Sequence, residues 1–388
     1  MEIAILLLAL PNMLVSVAVS PIMNDLVLHF GKNGDFLAKF FLIIPSLVIV
    51  PFLLFSYAFV NYFSKKKLVM LGLVIYIISG LGCLIFDNIY LMMMFRSLVG
   101  ISAGLVIPYT SSLITDYYVG EKRYQLLSYA GLVSYVGGIL ILIFAGLLSK
   151  IDYKLVFLIY FVAAIPLFFV MKYLPDKSKK YSIVFRDVST SFFSLYKFKI
   201  HIWRYCFYNF FITILGFVFF YNLAFLMNYK HVGGPLEISI TQSFYMLGGI
   251  LSNYFMYRIK LVIGSFLHVL QMFFVAQGFF LLLNSNLNVI MVYIAGFLIG
   301  VGYGSIFSSL NSAVANKIGT LRRVSAISML TISTYLGQFV SPLFFDFVIY
   351  LFKWEYYGIT ILISGVFYSI FGFFLLIRWI KLYTKATR

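Results

Sequence analysis

The residues that could do chemistry are few and far apart. Arg96 stands inside the apolar run from Asn88 to Arg123, NIYLMMMFRSLVGISAGLVIPYTSSLITDYYVGEKR, and Gly100, Gly104 and Pro108 follow it at steps of four. Spacing of four keeps side chains near one face of a helix, and small residues on such a face let a second helix come close. A charge placed in hydrocarbon costs at least ~2.5 kcal/mol on insertion scales, so it points into a protein interior or a watery cavity. Two roles fit Arg96. It can brace the fold by pairing with a backbone carbonyl or a polar residue of the first helix, or it can line a cavity, where it binds an anion or responds to proton movement.

Acidic groups are scarce where proton transfer would use them. Asp25 and Asp346 fall near one set of span ends and Asp116 near the other, and no Asp or Glu sits at mid-span. Asp25 is the candidate proton carrier, with an interfacial cap as its competing role. The lack of a mid-span carboxylate, whose pKa burial would raise, favours a neutral or anionic solute. Bond-making chemistry has no support. There is no Gly-x4-Gly-Lys-Ser/Thr loop to cradle nucleotide phosphates. The four histidines lack metal-ligand spacing with Cys83 or Cys206, so no enzyme, cofactor or metal is expected. His268 is the one histidine within a span, either a hydrogen-bonded packing residue or a solute-binding group. Asn12, Ser16, Tyr135, Asn209, Asn222, Gln271, Tyr303 and Gln338 add amides and hydroxyls among many phenylalanines. Aromatic walls with scattered amides suit a mid-sized amphiphile; the same residues also serve ordinary helix packing.

The elements that must hold these groups are membrane helices. Of 388 residues, 63% are hydrophobic and 11% charged, against roughly 25% charged in soluble domains. Apolar spans fall at about 3–24, 36–59, 67–86, 89–115, 126–148, 154–174, 204–228, 239–257, 262–284, 287–312, 325–350 and 357–379, each near the ~20 residues a bilayer requires. An all-α polytopic protein follows, with residues 1–174 as one six-helix bundle, 175–203 as a central cytoplasmic loop and 204–388 as a second bundle. With both termini cytoplasmic, the inner loops and the C-terminus hold 22 of the 29 basic residues. The outer loops hold six (Lys32, Lys39, Lys150, Lys154, Lys230 and Lys353), and Arg96 is left in the membrane. That asymmetry is the positive-inside rule. The net charge of +17 is therefore topological, and nucleic acid is not an expected partner. The expected partners are lipid, a small-molecule solute and protons, with the chain a monomer in a bacterial inner membrane.

The halves repeat. A shift of 200 aligns Gly100 with Gly300, Gly104 with Gly304, Ser112 with Ser312, Arg123 with Arg323, Ser128 with Ser328, Tyr135 with Tyr335 and Gly137 with Gly337. Two parallel six-helix halves are a secondary-transporter arrangement, with the site between them at mid-membrane.

Over its whole length the chain resembles the major facilitator superfamily. The fourth span, FRSLVGISAGLVIPYTSSLITDYY with EKR after two more residues, resembles that family's helix-four pattern of an arginine, two glycines, a proline and a final aspartate. The stretch YAFVNYFSKKKLVML resembles its second cytoplasmic loop in degraded form, with Tyr57 and Ser64 at the glycine positions, Asn61 at the aspartate and Lys65, Lys66 and Lys67 at the basic end. LGQFVSPL, around Gln338 and Pro342, resembles a family pattern in helix eleven. The look is nearest to the drug–proton antiporter branch, yet Leu142 occupies that branch's helix-five proline position. The resemblance implies alternating access, with proton-coupled export of amphiphiles, such as drugs or siderophore-like chelators, as the leading expectation. Uptake of an anionic metabolite or metal chelate follows, and a non-transporting sensor or scaffold is the remote case. It also implies an inner gate at Asn61, Lys65 and Asp116, weakened by the missing charge at position 61. Asn61→Asp is therefore expected to deepen protection of the cytoplasmic mouth against thiol labelling; unchanged labelling would sink the weak-latch idea.

Overall fold

A computed structural model describes residues 1–31, 34–176, 200–284, 288–317, 320–352 and 358–386, and the regular structure there is helical. The central loop from 177 to 199 lies outside the described residues. Twelve rods follow one another. The first, α1, is built of Glu2–Leu7, Pro11–Val17, Ser20–Ile22 and Met23–Phe30. Then come α2 (Gly34–Tyr62), α3 (Lys65–Ile85), α4 (Ile89–Tyr117) and α5 (Gly120–Ser149). The sixth rod, α6, runs as a 3₁₀ stretch over Tyr153–Ala163 and an α-helix over Ala164–Tyr173. The second half holds α7 (Ile200–Tyr229), α8 (Pro235–Ile263), α9 (Phe266–Leu283), α10 (Val289–Gly304 and Ile306–Lys317), α11 (Thr320–Phe352) and α12 (Gly358–Ala386). Among the described residues ten helices are long and apolar enough to cross a membrane. The two rods that fall short are the broken α1 and the polar α8.

Ion pairs mark the two ends of the bundle. Lys122–Glu2 at 3.0 Å and Lys65–Asp116 at 2.6 Å sit at the end that carries the N-terminus, the terminal end. Lys154–Asp87 and Lys39–Asp346 sit at the opposite, far end.

The breaks have local causes. Proline lacks an N–H and suits the first turn of a helix, and Pro11 and Pro21 open new pieces of α1. Inside α2, Pro45 cannot donate to the carbonyl four residues back, which is that of Phe41. Arg96 of α4 fills this gap. Its Nε donates to Phe41 O at 3.2 Å, its Nη2 to Val15 O at 2.8 Å in the last turn of Pro11–Val17, and its Nη1 to the Tyr160 hydroxyl of α6. The rings of Phe41 and Tyr160 lie 5.6 and 5.9 Å from the guanidinium carbon, close enough for cation–π attraction. Arg96 is fully buried and ties four rods of the first half together.

Packing preserves the repeat. A methyl at Gly100 would sit 2.6 Å from Pro45 O, and one at Gly104 would overlap Phe52, so these glycines set α4 against α2. The partners 200 residues on behave alike, with Gly300 against Tyr245 and Gly304 against Gly249 of α8. At the far end Ser20 Oγ donates to Phe220 O, and Asn24 Nδ2 to Ala224 O at 2.9 Å. Each of these pairs joins residues 200 apart, as happens where equivalent rods meet on a pseudo-twofold axis.

The brace generates a stability test. An unsatisfied buried carbonyl costs about 1–3 kcal/mol, so Arg96→Leu, which orphans two, should lower the melting point in detergent by more than Tyr160→Phe. A thiol-reactive dye reads the transition, because Cys83 and Cys206 are both buried in the folded chain. Equal melting of Arg96→Leu and the parent would refute the brace.

Candidate functional site at the seam between the halves

Where the halves meet, polar groups replace apolar packing. Besides accepting from Gln242 Nε2 of α8 at 2.5 Å, Ser20 of α1 reaches Phe220 of α7. Ser46 Oγ of α2 donates to Gln338 Oε1 of α11 at 3.1 Å. Among the described residues one ion pair crosses the seam: Lys39 Nζ of α2 lies 2.6 Å from Asp346 Oδ1 of α11, with 8% of the lysine side chain and 29% of the aspartate exposed. The Phe225 ring of α7 lies 5.6 Å from the same amine. A buried amine is tolerated when it is paired and strongly disfavoured when its partner is lost.

The shift of 200 relates this contact to its counterpart on the other seam. Lys39 maps to Ser239 and Asp346 to Gly146, and those two residues also touch, a methyl at Gly146 falling 2.6 Å from Ser239 Oγ. The α2–α11 seam thus carries charge where the α5–α8 seam carries small neutral residues. At mid-height on the latter, Tyr135 of α5 lies against Gly249 and its hydroxyl bonds with Asn253 of α8. Asn253 in turn donates to Gly304 O at 2.9 Å and accepts from Ser308 at 2.6 Å.

The residues singled out in the sequence fall into three groups. Tyr135 and Gln338 stand at the seam, bonded across it. Asn12 lies on α1 just after its first break, its buried Oδ1 taking no hydrogen bond from the described residues. Asn209, Asn222, Gln271 and Tyr303 make contacts inside the second half. Asn209 Nδ2 serves Leu330 O, Ser333 Oγ and Thr334 Oγ1 of α11 at 3.1, 2.9 and 2.8 Å. Asn222 bonds to Thr360 of α12, Tyr303 donates to Thr213 Oγ1 at 3.2 Å, and Gln271 donates to Ser305 Oγ at 2.6 Å. His268 Nδ1 lies 3.0 Å from Gln271 Oε1. The described contacts of Arg96 all lie inside the first half.

At the terminal end Lys65 meets Asp116 at 2.6 Å and Ser112 at 2.5 Å, linking α3 to α4 within one half. The side chains of Asn61 and Ser16 lie outside the described residues. At the far end Asp25 is half-buried on α1, and the Lys154 ammonium holds the exposed Asp87 carboxyl below its usual range.

Lys39 corrects one reading. Counted among loop residues, it instead lies within α2 and is buried, because Asp346 supplies a counter-charge. Sequence reasoning also passed over Ser20, Ser46, Gln242 and Asn253. For Lys39 a signal existed, a cation inside the run FLAKFFLII; for the other four nothing distinguished them from packing residues.

A sequence profile of the Major Facilitator Superfamily matches residues 3–342. The quinolone resistance protein NorB of Staphylococcus aureus is 28% identical over 123 residues, which are 31% of this chain and 27% of NorB, so the match spans about a quarter of those relatives. Among solved structures, the D-xylose–proton symporter superposes with a TM-score of 0.69 at 14% identity, over 96% of this chain and 95% of the symporter. The nucleoside transporter NupG gives 0.71 at 13% identity over 97% and 98%. A bacterial homologue of the lysosomal transporter Spinster gives 0.66 at 15% over 97% and 95%. At such identities the likeness is one of fold. Twelve helices among the described residues, in two related halves, together with a family profile over most of the chain, make this protein a member of the Major Facilitator Superfamily.

Proposed function

We propose that the chain moves a small organic solute by alternating access, coupled to protons, and that it exports amphiphilic compounds. The observation that carries this reading is the Lys39–Asp346 pair, a charged contact that closes the far end across two halves. A latch of one acid and one amine loosens when the acid takes a proton, because the buried Lys39 amine then loses its counter-charge. Asp346 is then the coupling carboxylate, a part first given to Asp25. Arg96 is read as structural, its nitrogens already donating to Phe41, Tyr160 and Val15. That removes the charge that favoured uptake of an anion.

The distribution of basic residues supports a cytoplasmic terminal end, in a bacterial inner membrane. Closed at the far end, the transporter then awaits its solute from inside. Aromatic rings gather behind the seam, Tyr245 packing against Phe219 and Phe220 at 5.3 and 5.0 Å, which suits an amphiphile. The partial likeness to a quinolone resistance protein points the same way.

The test is proton movement in liposomes holding the pure protein, an imposed pH gradient and a trapped dye, challenged with cationic drugs and, separately, with anionic chelators and carboxylates. Cationic drugs should release protons, and Asp346→Asn should abolish that release. In the same variant a cysteine in place of the buried Ala224 should be labelled at least about tenfold faster, reporting an opened far end. Release by anions alone would overturn the export reading, and a full response from Asp346→Asn would remove that residue from the coupling step.

A further inference from the structure

A cavity of about 590 Å³ lies within the second half at the terminal end, off the seam. Its polar lining is Arg204, Tyr205 and Tyr208 of α7, His268 of α9, Ser309 of α10 and Arg378 of α12, and its other lining residues are aliphatic. No carboxylate is among them, and neither arginine belongs to any of the ion pairs found among the described residues. Two guanidiniums lining one recess repel one another. Both arginines are exposed near the terminal ends of α7 and α12, where topology also places cations; what sets them apart is that they line one space together with His268.

The repeat shows that the fold does not need the members of this set on α7, α9 and α10; the counterpart of Arg378, position 178, lies outside the described residues. Arg204, Tyr208, His268 and Ser309 map by the shift of 200 to Ala4, Leu8, Leu68 and Tyr109, all buried in the first half. One half fills this place with apolar packing; the other keeps a basic hollow there. A departure from local packing rules without a structural return marks a functional site. His268 is held in place, since Gln271 accepts its Nδ1–H at 3.0 Å while donating to Ser305. Nε2 is the ring nitrogen left for a ligand.

We propose that this cavity binds a phosphate-bearing organic molecule, with the phosphate between Arg204 and Arg378 and the organic part on Tyr208, Leu310 and Leu375. Guanidinium groups match phosphate oxygens in bidentate geometry. The volume lies in the range of small-molecule pockets, so an organic phosphate fits where a bare ion would leave space. Such a group is carried by an anionic lipid headgroup or by a soluble phosphate ester.

The test uses full-length protein in a neutral detergent and phosphate-free buffer at constant ionic strength. Short-chain phosphatidylglycerol, glycerol phosphate and, as a zwitterionic control, short-chain phosphatidylcholine are titrated while thermal unfolding is followed. Phosphatidylglycerol or glycerol phosphate should raise the midpoint, with an affinity reduced about tenfold or more in the Arg204→Gln/Arg378→Gln double variant. Lys260→Gln, which removes an exposed cation on α8, should leave that affinity unchanged. A response to the lipid alone assigns the headgroup, and a response to glycerol phosphate assigns a soluble ester; either supports the site. Should the double variant fail to fold, Arg378→Gln alone, exposed at the rim, supplies the comparison. Equal affinity in the arginine variant, or an equal response to phosphatidylcholine, would overturn the proposal, and neither result depends on transport.

Discussion

Everything in the first half depends on how Arg96 satisfies a backbone that proline has interrupted. In hydrocarbon there is no water to take up a freed carbonyl, so a bent helix needs another partner for it. Pro45 frees the Phe41 carbonyl and the end of Pro11–Val17 leaves that of Val15, and one guanidinium takes both while also donating to Tyr160. The cost of burying the charge is offset by these oxygens and by two aromatic faces. Ser20, Asn24 and Lys39 on these same two rods reach across to the other half. The glycines of α4, one turn apart from each other, let α2 come close enough for Arg96 to reach Phe41.

The two seams differ in charge at the far end. The pseudo-twofold places Ser239 and Gly146 where the other seam has Lys39 and Asp346. Shape is conserved between the two contacts and charge is not. The charged contact thus belongs to α2–α11 and has no charged counterpart at the equivalent place on α5–α8. The basic cavity of the second half is a comparable case, a charged departure from a place that the first half packs with apolar side chains.

Much of the fold was legible because its signals are local or periodic. The glycine spacing from Gly100 to Gly104 recurs at Gly300 and Gly304, and each of these residues packs where the pattern requires. Arg96 stood out because a lone charge in an apolar run must be explained. The seam was harder to read. Lys39 and Asp346 are 307 positions apart, and nothing in either segment names the other. Amides were the least informative, because any buried amide in a membrane needs a partner whether it faces a solute or a neighbouring helix. Asn209 and Gln271 spend their donors on α11 and on Ser305, whereas Gln338, of the same chemical type, bonds across the seam. Which of these it would be depends on rotation about the rod, which an apolar sequence with a small amphipathic signal does not fix.

The size of the seam contacts also suits a protein that must open them again. Neutral hydrogen bonds contribute about 0.5–1.5 kcal/mol each, and the described far-end closure consists of a few of them, one partly exposed ion pair and small-residue contacts. Within each half the rods are held by interlocked glycines, buried aromatic side chains and the Arg96 brace, whose loss leaves groups unsatisfied in an apolar interior. The weaker set separates first. The alternating access proposed above then amounts to a rocking of the two halves about the pseudo-twofold, where Ser20 and Asn24 meet their counterparts 200 residues on. A ligand or proton that shifts the balance between two such states must interact differently with each of them, and the Lys39–Asp346 contact, which joins the two halves at the far end, is the contact on which the proposed coupling rests.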